Sequence, residues 1–200
     1  MTGASILPVA EYKGKLYFLF GRDIGDCPGF ACFGGGVEEH ESKDLYSAAL
    51  REGAEEMKGF LGNPTQLRDL IENNGGHLPI VFDTSRSLYH AHLFRIVYDP
   101  MLPVYYNQNH EFLMSVMSRN HWKDNKHLFE KVEIVWMTFQ DMKRRRSEFR
   151  TFYQKIVDEI VSKKEIIIKF IHERKNLVPL MIKEKVGMKN VTRKVRRKKI

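Results

Sequence analysis

Apolar and polar positions change period several times along this chain, and each change marks an element. Residues 4–11 and Lys15–Arg22 are rich in Ile, Leu, Val, Phe and Tyr, which predicts two strands joined by a turn at Tyr12–Gly14. Phe30–Phe33 is a short apolar strand that runs into Gly34-Gly35-Gly36. From Leu45 the spacing becomes helical. Leu45, Ala49, Gly53 and Met57 form one stripe, flanked by Tyr46, Leu50 and Ala54. Ser42 and Asp44 are suitable caps for this helix, and Gly59 is a natural terminator. Asn63-Pro64-Thr65 opens a second helix through Asn73, closed by Asn74-Gly75-Gly76. Leu78–Asp83 and Leu88–Tyr98 are strand-like. Asp99–Asn109, with its prolines and asparagines, predicts a connection, and Glu111–Arg119 a helix. Lys131–Phe139 is a strong strand pattern, followed by Gln140–Lys143. Over Ser147–Lys175, Phe152, Ile156, Val157, Ile160, Val161, Ile167 and Ile171 keep helical spacing, giving one long C-terminal helix or two abutting ones. The elements interleave without a regular βαβ rhythm. A mixed β-sheet flanked by α-helices follows, in the α/β class.

The charge is uneven. The 200 residues carry a formal net charge of +8. Residues 176–200 hold nine Lys/Arg and one Glu, which accounts for all of it. Residues 1–175 are therefore neutral and form the expected domain, with 176–200 a basic tail. Such a tail suits nucleic acid, an anionic membrane surface or a targeting signal; a solvated end without function competes with all three. No run approaches the roughly 18 apolar residues of a membrane span. No secretory signal is evident at the N-terminus. Cys27 and Cys32 are too few for a disulfide scaffold or a zinc site, and free thiols in a cytoplasmic protein are expected.

The chemistry is concentrated between Phe33 and Phe60. On a helix, Glu52, Glu55 and Glu56 fall within an arc of about 100°. Three like charges that close repel one another. An exposed acidic face is the ordinary explanation. The sharper one is a hard cation such as Mg²⁺ held by carboxylate oxygens. A glycine-rich loop before a helix suggests phosphate binding, but a P-loop needs Lys and Ser/Thr beside the phosphates. Here Glu38, Glu39 and Glu41 follow the glycines. A polyphosphate could approach these carboxylates only through metal ions, which favours metal-assisted hydrolysis over simple nucleotide binding.

The stretch resembles the Nudix hydrolase signature, G-x5-E-x7-R-E-U-x-E-E-x-G-U with U a bulky apolar residue. Gly35 and Glu41 match its opening, and Arg51-Glu52 with Glu55-Glu56 match R-E-U-x-E-E. The flanking order also matches: two strands, the segment Leu19–Asp23, a strand into the glycines, and the late strand before a C-terminal helix. Three departures stand out. Nine residues separate Glu41 from Arg51 where the signature has seven, Gly53 occupies the U position, and Met57-Lys58 replaces a single residue before Gly59.

The resemblance implies a Nudix-type mixed β-sheet sandwiched between α-helices, with a long C-terminal helix. It implies an Mg²⁺- or Mn²⁺-dependent pyrophosphohydrolase that cleaves a nucleoside diphosphate linked to another moiety. Glu52, Glu55 and Glu56 would be metal ligands, one of the last two instead helping to activate water. Arg51 would orient the glutamates, in an ion pair with Glu41. Gly34, Gly35 and Gly36 would form the substrate-binding loop, shaped by Gly34 and Gly35, and the carbonyl of Gly35 or Gly36 could ligate a metal. The substrate classes open are a small nucleotide derivative, an inositol pyrophosphate and a capped RNA. An mRNA-decapping enzyme would engage RNA through Lys143-Arg144-Arg145-Arg146, Arg150 and the tail. A catalytically inactive module that binds nucleotide or RNA is the alternative from another class.

Weaker candidates remain. Glu130, Glu133 or Glu111 could supply a catalytic base. His90 and His92 share a face but lack an obvious third ligand. Phe30, Tyr89, Tyr105, Tyr106 and Trp136 could stack on a nucleobase, although aromatics at such positions are more often core.

Overall fold

A computed structural model describes residues 2–24, 27–84, 87–117 and 129–173. The elements in chain order are β1 (Thr2–Tyr12), β2 (Lys15–Asp23), β3 (Gly29–Ala31), β4 (Phe33–Gly36), α1 (Leu45–Glu56), α2 (Pro64–Asn73), β5 (His77–Thr84), β6 (Ser87–Arg95), α3 (Met101–Val116), β7 (Lys131–Met137), α4 (Phe139–Arg144), α5 (Tyr153–Ser162) and α6 (Lys164–His172).

The strands form one seven-stranded mixed sheet. β1 runs parallel to β6 over Thr2–Val9, and the other pairings are antiparallel. β1 and β2 pair only next to their turn, from Val9↔Phe18 to Tyr12↔Lys15. Farther out they splay apart. β4 then takes the free edge of β1, with Ser5 opposite Gly34, while β3 takes that of β2, with Gly21 opposite Ala31. The glycine strand is thus wedged into an opened hairpin. β7 covers the other edge of β2 from Phe18 to Asp23.

Alternation along β1 divides two cores. Leu7 and Val9 join Phe18, Phe20, Phe30 and the apolar stripes of α5 and α6 on one face. Ala4, Ile6 and Ala10 join Leu19, Phe33 and the buried side of α1, α2 and α3 on the other. Each fully buried Leu, Ile or Phe contributes about 1.5–3 kcal/mol, so the two faces together hold the helical layers on the sheet.

Local signals explain most of the boundaries. Asp44 caps α1, accepting from the Ser47 backbone N–H at 3.0 Å. The helix ends where Lys58 and Gly59 take left-handed φ angles of 52° and 72°. Asn63 and Gln66 form a reciprocal capping box on α2. α3 differs from the expected connection over Asp99–Asn109, since it begins at Met101. Pro103 lies in its first turn, where a missing N–H leaves nothing unpaired. Asp99 Oδ1 accepts from the Met101 N–H at 2.7 Å and starts the helix. Of the two forms expected at the C-terminal side, the abutting pair is present. α5 and α6 meet at Lys163, and the stretch before them, Arg146–Glu148, is a 3₁₀ turn. Residues 174–200, including the basic tail, lie outside the described residues. Among the described residues no helix is long and apolar enough to cross a membrane.

Candidate active site

The site forms where β1 and β2 splay. α1 packs over β1 and β4, bringing Arg51, Glu52, Glu55 and Glu56 against Gly34–Gly36.

Arg51 organises the outer half. Its Nε and Nη2 donate to the two oxygens of Glu41 at 2.9 and 2.8 Å, a bidentate pair. Its Nη1 donates to Glu52 Oε1 at 2.9 Å, and its Nη2 reaches the Gly36 carbonyl at 3.4 Å. Glu38 and Glu55 lie at 3.8 and 3.9 Å. The hydrogen bonds from Arg51 hold the Glu41 carboxyl below the usual range, and Glu41 in turn raises the guanidinium. The pair sought between Arg51 and Glu41 therefore closes in spite of the longer connection. The chain between them is taken up by a 3₁₀ turn at Glu39–Glu41 and the Asp44 cap.

The three glutamates occupy different environments. The Glu52 side chain is 17% exposed. Burial pushes its carboxyl up, Arg51 pulls it down, and Glu55 and Glu130 add repulsion. Glu52 stands against Gly35, where a Cβ would lie 2.5 Å from Glu52 Oε2. Any side chain at position 35 would displace the carboxylate. Glu55 is 46% exposed, with Arg51 at 3.9 Å as its ion-pair neighbour. Glu56 is 4% exposed. Its Oε2 accepts the Gly34 N–H at 2.7 Å and its Oε1 faces Lys131 Nζ at 3.3 Å. Burial pushes the Glu56 carboxyl up, with the Lys131 ammonium and the Gly34 N–H pulling the other way.

Several participants carry no signal in the sequence motif. Lys131, at the start of β7, is buried and donates to both oxygens of Asp23, at 2.7 and 2.9 Å. Burial acts to lower the Lys131 ammonium, but Glu56 and Asp23 outweigh it and hold it above an ordinary lysine. Arg150 Nη1 donates to Asp23 Oδ2 at 3.0 Å. The Tyr106 hydroxyl on α3 donates to the Glu56 carbonyl at 2.6 Å and has the Lys131 carbonyl at 3.3 Å. Lys58 Nζ meets His110 Nδ1 at 2.9 Å and lies 4.3 Å from the Tyr106 ring centroid. Burial lowers Lys58 to about 8.

Other candidates fall elsewhere. Glu133, on β7, is ion-paired with Arg22 at 2.6 Å. Glu111 is an exposed residue of α3. Glu130, also exposed, is near enough for its charge to act on Glu52 and Glu56. Phe30 and Tyr106 are core, Tyr89 meets Cys32 Sγ through its hydroxyl at 2.9 Å, and Trp136 donates to the Asp99 carbonyl. Tyr105 is exposed. Cys27 and Cys32 are free thiols. His90 and His92 do gain a third imidazole, His77, whose ring lies 4.7 Å from that of His92. Register explains this, because β5 places His77 opposite Phe94, two residues beyond His92 on the same face.

Among the described residues, no group of three or more His, Cys, Asp or Glu stands ready to hold a metal ion. Among the glutamates, Glu52 and Glu55 have Arg51 beside them and Glu56 has Lys131. The arginines of Arg144–Arg146 are likewise matched by acids: Arg144 with Asp141, Arg145 with Glu148, and Arg146 with Asp158, at 2.7, 2.8 and 2.6 Å.

No protein-family model and no curated protein matches the chain. Solved structures resemble it at a distance. A Caenorhabditis elegans Ap4A hydrolase binary complex gives a TM-score of 0.49 at 13% identity, covering 84% of this chain and 96% of that one. A second structure of C. elegans Ap4A hydrolase gives 0.46 at 12% identity, covering 84% and 97%. The NUDIX domain of Shewanella oneidensis NrtR complexed with ADP ribose gives 0.45 at 10% identity, covering 83% and 88%. At these scores the likenesses carry no weight for chemistry.

Proposed function

We propose that this chain is a Nudix-type pyrophosphohydrolase that needs a divalent cation and cleaves a nucleoside diphosphate linked to another group. The supporting observation is the bidentate Arg51–Glu41 pair, which joins the two halves of the signature across the two extra residues and aims Glu52 at the glycine loop. An accidental acidic helix has no reason to keep that pair.

The donor set suits a hard cation in part. Glu52 Oε2 stands beside Gly35, and Glu55 is half exposed with Arg51 at 3.9 Å. Those two carboxylates would hold Mg²⁺ or Mn²⁺. Glu56 fits less well, since one oxygen is taken by Gly34 and the other faces an ammonium. When bound, the cation would neutralise phosphate charge and lower the pKa of a water. The chain's own groups do the rest. Glu41 fixes Arg51, and Arg51 fixes Glu52 and reaches the Gly36 carbonyl. Gly34 and Gly35 keep the loop flat against β1 and the helix. Glu55 is the most exposed of the three glutamates and stands nearest to solvent.

Within this reading a small nucleotide derivative is the favoured substrate class. The arginines of Arg144–Arg146 are matched by carboxylates, so they offer an RNA backbone little unpaired charge. Capped RNA would then depend on residues 176–200. The test is an Mg²⁺-dependent hydrolysis panel of nucleotide sugars, dinucleoside polyphosphates, oxidised nucleotides, an inositol pyrophosphate and capped RNA. Turnover that falls at least about 100-fold in Glu52→Gln and Glu55→Gln, with the fold intact, supports the reading. No turnover on any substrate moves the chain to the inactive binding module. Wild-type rates in both variants remove the metal assignment.

A further inference from the structure

Lys131 is placed as a cation rather than as a surface lysine. It is 1% exposed. Its stem lies over Gly21, where a Cβ would meet Lys131 Cδ at 2.7 Å, so the neighbouring strand leaves room for it. Its backbone carbonyl is held by Lys58 Nζ and the Tyr106 hydroxyl, each at 3.3 Å. The ammonium then sits between two carboxylates from different elements, both oxygens of Asp23 on β2 and Oε1 of Glu56 on α1. Arg150 supplies a second positive charge at Asp23. Lys131 and Arg150 thus already meet the two acids Asp23 and Glu56, with the exposed Glu130 acting on Glu56 from the solvent side.

We propose that Lys131 is a built-in cation, occupying the position between Asp23 and Glu56 that a divalent ion would otherwise take. Glu56 is then a positioning residue. It ties the Gly34 N–H to the helix and to β7, and the exchangeable metal is left to Glu52 and Glu55. The assignment of the exchangeable metal rests on the function proposed above; the role of Lys131 between Asp23 and Glu56 does not.

The full chain is titrated with Mn²⁺, counting bound ions by the loss of the free-ion electron-spin signal, and melted with and without Ca²⁺. Glu56→Gln is expected to bind Mn²⁺ within about threefold of wild type, whereas Glu52→Gln loses at least about tenfold. Lys131→Met keeps the stem and removes the charge. It should gain one Mn²⁺ site relative to wild type and show a rise in melting midpoint on adding Ca²⁺ that exceeds the wild-type rise by about 3 °C or more. The variant Lys131→Met with Asp23→Asn and Glu56→Gln should lose both gains. A Lys131→Met protein that folds only when a divalent ion is present supports the proposal equally. The proposal is overturned if Glu56→Gln loses a bound Mn²⁺, or if Lys131→Met gains neither a site nor stabilisation. A wild-type protein that binds no Mn²⁺ sinks the function proposed above, yet a metal gained on Lys131→Met would still establish the built-in cation.

Discussion

Gly53 stands in the last turn of α1, where glycine costs up to about 1 kcal/mol relative to alanine. On propensity alone, Gly53→Ala should stabilise the protein by that amount. Packing opposes it. A Cβ at position 53 would lie 2.4 Å from Ile6 Cδ1 and 2.5 Å from Ile6 Cγ1. Ile6 is fully buried, at the centre of the core beneath α1. Its side chain cannot swing into solvent, so α1 must lift or Ile6 must leave its rotamer. Overpacking of that kind costs about 1–3 kcal/mol. The net expectation is a destabilisation of about 0–2 kcal/mol, the opposite sign to the propensity effect.

The decisive measurement is a double-mutant cycle by urea unfolding. Ile6→Ala alone should cost about 2–5 kcal/mol through lost burial and a cavity. It also removes the two atoms that a methyl at position 53 would strike, leaving Ile6 Cβ at 3.5 Å, an ordinary contact. In that background Gly53→Ala should stabilise, because the new methyl enters the vacated space and the propensity gain is no longer opposed. The coupling should therefore be favourable by about 1–3 kcal/mol. Additivity within about 0.5 kcal/mol, or a stabilising Gly53→Ala in the wild-type background, would refute the view that close helix–sheet contact requires glycine here.

Glu41→Gln should lower stability by about 1–3 kcal/mol, since it replaces a charge-assisted bidentate pair with a neutral contact. It should also weaken Mn²⁺ binding, because Arg51 is released toward Glu52 and Glu55; melts and a metal titration on one preparation check both. Lys13 in the β1–β2 turn has a left-handed φ of 50° ahead of Gly14 at 71°, so Lys13→Asn should stabilise by about 0.5–1 kcal/mol in urea unfolding. His92 is lowered to about 4 by burial and by His77 and His90, and His110 to about 4 by burial and Lys58. Both folded values lie below the unfolded value of about 6.5, so the unfolded chain binds more protons in that window. Stability should fall as pH drops from about 6.5 to 4, by up to about 3 kcal/mol for His92 and by less for the better-solvated His110, and His92→Phe should flatten the slope of urea midpoint against pH.

The sequence made the local features readable. The Asn63-Pro64 start of α2, the acidic helix and its end at Gly59 all depend on neighbours within one or two turns. The start of α3 was hidden because Pro100 and Pro103 look like breakers, although a first-turn proline is no obstacle to a helix. Within the site, the Arg51–Glu41 pair was anticipated by the signature. Asp23, Lys131, Arg150 and Tyr106 were not. Lys131 lies 108 residues from Asp23, and a lysine at the first position of a strand ordinarily reads as solvated. His77 escaped for a similar reason, because only the strand register brings it beside His92.

The hidden residues share a cause, which is the opened β1–β2 hairpin. Once β1 and β2 diverge past Val9 and Phe18, the glycine strand enters on the β1 side and β7 continues along β2 to Asp23. α1, lying across β1 and β4, then points Glu56 toward Gly34 and the start of β7. A carboxylate buried at that junction needs a nearby cation, since an isolated buried charge is costly. Lys131 supplies one from within the fold. The outer carboxylates, Glu52 and Glu55, are nearer solvent and have Arg51 beside them, so in the function proposed above they are the ones that would take a cation from solution. One short acidic helix thus presents two electrostatic regimes, set by which strand end each glutamate faces rather than by the spacing of the glutamates in the chain.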